Sequence, residues 1–133
     1  MKRGTIFFEN FHSDDCQISI ELSEDGTVWM TMREIATLFN VTQSSLESSL
    51  KTLFNPNNLL VEERVKREKV YRLSNEKACF VDHYNLEVII ALSFRVESYP
   101  CALFRQWIAQ QICTSLSESH PILGRLGTTA MMN

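Results

Sequence analysis

At 133 residues, with 44% hydrophobic and 22% charged side chains, the chain holds one domain's worth of sequence and enough apolar content for an unstapled core. Its longest apolar run, Val88 to Leu92, is five residues, and its N-terminus carries no secretion signal, so a cytoplasmic protein without a membrane partner is expected. A net charge of −3 argues against coating nucleic acid by bulk attraction, while leaving room for a locally basic surface.

Ile6-Phe7-Phe8 is a candidate short strand. From Cys16 to Leu22 the pattern alternates, with Ile18, Ile20 and Leu22 on one face. Ser23-Glu24-Asp25-Gly26 reads as a turn, and Thr27–Met30 is expected to return against 16–22 as a hairpin. Thr31 then N-caps a helix, with Glu34 completing a capping box and Ile35, Leu38 and Phe39 facing inward. Asn40 suits the left-handed turn position, and Thr42 caps a second helix that buries Leu46, Leu50 and Leu53 until Asn55-Pro56-Asn57-Asn58 stops it. Arg64–Leu73 and Lys77–Val81 read as strands joined by Ser74-Asn75-Glu76. Asn85 caps an apolar helix over Leu86–Val96. A last helix begins at Tyr99-Pro100, with Leu103, Phe104, Trp107, Ile108, Ile112 and Leu116 as its buried stripe.

The expected fold is therefore α+β: hairpin, helix pair, second hairpin, two C-terminal helices. The second hairpin falls where a winged helix-turn-helix keeps its wing. A single domain over 1–116 and a poorly ordered tail over 117–133 follow from the same pattern.

Residues 32–53 meet the steric demands of a helix-turn-helix in register. Ala36 is small where the second helix crosses, Val41 plugs the turn, and Leu46 and Leu50 lock the second helix onto the first. An ordinary αα-hairpin shares this periodicity. The second helix offers Gln43, Ser44, Glu47 and Ser48, with no cation before Lys51. Cations gather downstream instead: Arg64, Lys66, Arg67, Lys69 and Arg72 stand against Glu68 alone within 64–72. On a wing they would grip phosphates of double-stranded DNA, leaving Gln43, Ser44 and Ser48 to bond base edges or backbone. Tyr71 is a candidate sugar or base contact, or a core residue. A solvated strand face neutralised by Glu62 and Glu63 explains the charges equally well.

Catalytic and metal-binding readings find no footing. His12, His83 and His120 are isolated, and His83 reads as structural. Cys16, Cys79, Cys101 and Cys113 lack ligand spacing and are expected as buried free thiols, so no metal and no cofactor is expected. No phosphate loop, dinucleotide fingerprint or nucleophile elbow occurs, and an enzyme is not expected.

Several blocks in order resemble the RhuM family of bacterial virulence-associated proteins: Thr27–Thr31, the 35–54 segment, Tyr84-Asn85-Leu86-Glu87, Ile89-Ile90, Phe94-Arg95-Val96-x-Ser98 and Phe104-Arg105-x-Trp107. That family is in turn similar to the Bro-N and KilA-N domains of phage antirepressors. The resemblance implies a DNA-binding module of bacterial or phage origin, with no reaction attached. The chain departs from it at Gln43-Ser44-Ser45, where the family carries an arginine early in the second helix, and at Tyr99-Pro100-Cys101, where it carries Arg-Gly. Arg95 and Arg105 read as fold-maintaining, bonding loop carbonyls or pairing with Glu87 or Glu97. Two readings stay open: a regulatory DNA-binding domain, or an interaction module that kept the fold and serves a homodimer or a separate effector protein.

Overall fold

The structure, a computed structural model, describes residues 3–10, 16–55, 62–72 and 77–118. β1 (Thr5–Glu9) and β2 (Gln17–Glu21) form an antiparallel pair with Ile6 opposite Ile20 and Phe8 opposite Ile18. Alternation does the work: Ile6 and Ile18 are buried, whereas Phe7 and Ser19 face solvent.

The partner of β2 is thus the 5–9 segment, not 27–30 as the sequence pattern predicts. Val28 and Trp29 are both buried, which successive positions of a strand with one wet face cannot be. The turn before them closes through the Ser23 amide donating to the Thr27 carbonyl, and Trp29 N–H donates to the Arg3 carbonyl. The chain then enters β3 (Met30–Thr31), which pairs with a later strand instead of with β2. Leu22, expected inside, is exposed.

The helix pair follows as expected. Thr31 caps α1 (Met32–Phe39) through a full capping box with Glu34, and burial pushes the Glu34 carboxyl up while Arg3 and the Thr31 amide hold it lower overall. Asn40 ends α1 in the left-handed region at φ 54°, a conformation its short side chain tolerates. Thr42 caps α2 (Gln43–Leu53), and its hydroxyl accepts from Ser45 N–H. The stop at residues 56–58 lies outside the described residues.

A single helical turn, α3 (Glu62–Val65), precedes β4 (Lys66–Arg72), so Arg64 stands in a helix and not in the expected strand. β4 pairs antiparallel with β5 (Ala78–Tyr84) from Lys66–Tyr84 to Arg72–Ala78, and the second sheet runs in the order β3-β5-β4. β5 extends past Val81 to Tyr84, and the turn expected at 74–76 lies outside the described residues.

Asn85 caps α4 (Leu86–Ser93), which stops short of the expected Val96 and contributes fully buried Val88, Ile89 and Leu92. α5 (Tyr99–Glu118) carries Pro100 in its first turn and buries Cys101 and Phe104. Its apolar stripe does not stay covered: Leu103, Trp107 and Ile108 pack on the core, but Ile112 and Leu116 are exposed. The helix continues through residues 117 and 118 of the expected tail, and 119–133 lie outside the described residues.

The molecule is mixed α+β, with two small antiparallel sheets, four helices of eight residues or more and one helical turn among the described residues. Its core centres on Ile35, Phe39, Leu46, Ile89, Leu92 and Phe104, with the Phe39 and Phe104 ring centroids 5.5 Å apart. The cysteines only partly fit expectation, since Cys101 is buried but Cys79 and Cys113 are exposed. Apolar neighbours in sequence do not ensure cover. None of the described helices is long and apolar enough to cross a membrane.

Candidate nucleic-acid interface

α2 presents two chemically distinct sides. Leu46 and Leu53 are buried and Leu50 packs against the core, anchoring one side. Ser44, Ser48 and Lys51, spaced one turn apart, are exposed on the other. Gln43 is exposed too, but its amide donates to the Glu47 carboxylate at 3.3 Å. Lys51 has no acid at ion-pair distance among the described residues.

The cations of 64–72 are in a different condition. Arg64 makes a two-pronged bond to Glu87, at 3.0 and 3.2 Å. Lys66 donates to Glu62 at 2.6 Å, with Asp82 at 3.8 Å, and the Glu62 hydrogen bond pulls its pKa upward. Arg67 lies 3.5 Å from Asp25, with its guanidinium 4.3 Å from the centre of the Trp29 ring. Asp25 is itself held acidic by the Ser23 hydroxyl and the Trp29 indole N–H. Of the five predicted contact cations, Lys69, like Lys51, meets no carboxylate at ion-pair distance among the described residues. Glu62 plays the neutralising part expected of it, but Asp25, Asp82 and Glu87 are distant in sequence.

Several of the predicted site residues line grooves, and they are divided among three of them. Gln43 and Glu47 line a groove of about 520 Å³ with Arg33, Tyr71, Phe80 and Asp82. Arg64 and Arg67 line another, of about 460 Å³, with Asp25, Trp29 and Glu87. Ser48 opens onto a third, of about 740 Å³, shared with Ser49, Thr52, Ala91, Phe94 and Arg95.

Behind the hairpin, the Tyr71 hydroxyl stands 3.2 Å from His83 Nε2, while His83 Nδ1 lies 3.2 Å from the Val81 carbonyl. The carbonyl can only accept, so Nδ1 carries the proton and Nε2 accepts from Tyr71. Burial lowers the pKa of His83. Both ring nitrogens of His83 are thus engaged, and the hydroxyl of Tyr71, a residue with both a ligand-contact and a core reading, is already taken, although its ring is partly exposed.

Arg105 behaves as expected, donating to the Ser93 and Val96 carbonyls and lying 3.6 Å from Glu97. Arg95 does not. It is exposed, and its guanidinium has no partner among the described residues. Arg33, on α1 beside Gln43, is also exposed and unpaired on the same terms. The sequence pattern points to fold maintenance for Arg95 and gives Arg33 no role, because neither belongs to a charge run; the signal lies in which cations lack a nearby acid after folding. Among the described residues no cluster of three His, Cys, Asp or Glu side chains is placed to hold a metal.

No protein-family model, curated protein or solved structure matches the chain.

Proposed function

We propose that the chain is a small regulatory DNA-binding domain of bacterial or phage origin, built as a winged helix-turn-helix with the β4–β5 hairpin as the wing. One observation carries this reading: a well-capped α2, anchored by Leu46 and Leu53, holds Ser44, Ser48 and Lys51 exposed on its opposite side. In this arrangement Gln43, Ser44 and Ser48 bond base edges or backbone, and three or four of Lys51, Arg64, Lys66, Arg67 and Lys69 meet phosphates. The ion pairs of the hairpin do not forbid this. Exposed pairs are worth about 0–1 kcal/mol, so a phosphate can displace a carboxylate at small cost. The resemblance to the RhuM family and to Bro-N and KilA-N domains supports the same reading, and no catalytic role is proposed.

Binding of a mixed-sequence duplex, followed by anisotropy across a salt series, tests it. With three or four phosphates engaged, log K should fall against log salt with a slope of about −3 to −4. Absence of salt-dependent binding at ~50 mM salt would overturn the proposal.

The paired state of Arg64, Lys66 and Arg67 favours a second reading, an interaction module serving a second copy or an effector protein. It requires a complex whose sedimenting mass is indifferent to added DNA. A monomer that gains mass with duplex would decide against it.

A further inference from the structure

The groove beside Ser48 combines features that the other two grooves described above do not bring together. Its walls come from two separate elements: the C-terminal half of α2, through Ser48, Ser49 and Thr52, and the end of α4, through Ala91, Phe94 and Arg95. α4 ends at Ser93, and Phe94 N–H and Arg95 N–H close the last turn onto the Ala91 and Leu92 carbonyls. That closure leaves both side chains outside the core, with Phe94 61% exposed. Arg95 is the exposed guanidinium there, unpaired among the described residues, whereas Arg3, Arg64 and Arg67 each face a carboxylate. Across from it stand three short hydroxyl side chains and no acid. Such a lining offers hydrogen-bond donors and one permanent positive charge to an anion, with an aromatic edge beside them.

We propose that this groove is a phosphodiester site, with Arg95 clamping one backbone phosphate, Ser48 donating to its oxygens, and Phe94 lying against the adjoining sugar; the Thr52 hydroxyl is already turned to the Ser48 carbonyl. Ser48 belongs both to this groove and to the outward side of α2, so a strand held by Arg95 runs directly alongside the helix that faces the duplex. The proposal rests on the DNA-binding reading and sharpens it. A cation additional to Lys51 is supplied across the groove by the α4 terminus, independently of the hairpin. A phosphate contact carries no sequence information, so its effect must be uniform across duplexes.

Salt titrations of duplex binding, on two unrelated sequences, test this with wild type, Arg95→Ala, Arg95→Lys and Arg64→Ala. Arg95→Ala should weaken binding roughly five- to tenfold on both sequences and reduce the magnitude of the salt slope by about 1. Arg95→Lys should restore the slope, because a lysine still neutralises a phosphate. Arg64→Ala, which removes a cation already paired, should change the slope less than Arg95→Ala. The Arg95 side chain is exposed and bonds nothing among the described residues, so the fold should survive its loss; coincident urea melts verify that. If wild type binds and Arg95→Ala keeps the wild-type slope, the phosphate site is wrong while the DNA reading stands. If wild type binds no duplex, both fall.

Discussion

The β4–β5 hairpin side and the α2 side of the molecule handle positive charge in opposite ways. Around the hairpin, Arg64, Lys66 and Arg67 are dense in sequence and almost fully compensated in space by Glu87, Glu62, Asp82 and Asp25. Around α2, Lys51 and Arg95 are sparse in sequence and uncompensated among the described residues. A dense run of cations does not make a positive surface when the fold delivers acids to it. A cation with no acid at ion-pair distance keeps more of its own field than one whose opposing charge lies a few ångströms away, although Glu47 stands on the same helix as Lys51.

The largest expected effect breaks the α2 side outright. Leu46 is fully buried between α2 and the core, so Leu46→Ala should cost about 2–5 kcal/mol, read as a lowered urea midpoint. Duplex binding should fall with it. The cap comes next. Thr42→Ala removes the acceptor for Ser45 N–H and should cost about 1 kcal/mol by the same measurement.

Substitutions on the hairpin side should move stability far less. Glu87→Gln releases Arg64 from a pair that is about half exposed on both sides, and should change stability by no more than about 1 kcal/mol. The freed guanidinium should strengthen duplex binding at low salt. Unchanged affinity would remove Arg64 from the contact surface and leave the α2 side to act alone.

The smallest effect is a slope in pH. His83 is buried in its neutral form, so its folded pKa lies below the unfolded value of about 6.5. The unfolded chain then binds the proton first as pH falls. Stability is fully present above about pH 6.5 and declines below it, levelling once the folded histidine also protonates. Urea midpoints from pH 8 to pH 5 should follow this course in wild type, and His83→Gln should flatten it. An identical slope in the variant would place the pH dependence elsewhere.

What was legible in the sequence depended on reach. Thr31 with Glu34, Asn40, Thr42 and Asn85 were readable because capping bonds close within three or four residues. The choice of partner for β2 was not, since either 5–9 or 27–30 can alternate against it and only the joint burial of Val28 and Trp29 decides. Periodicity also marked an apolar stripe on α5 without saying where its cover ends, hence the exposed Ile112 and Leu116. The candidate site was the least legible part. Its outcome turned on ion pairs that span 23 residues for Arg64 and Glu87 and 42 for Arg67 and Asp25, separations that no local pattern encodes.

Asp25 has a consequence beyond charge. One carboxylate engages the Ser23 hydroxyl and the Trp29 indole while facing the guanidinium that lies on the Trp29 ring. The 23–29 turn and β4 are thereby fastened to each other at a single joint. Opening of one loosens the other, so their amide protons should exchange with solvent in part as one unit. Asp25→Asn should split that unit in two, with the turn exchanging ahead of the strand.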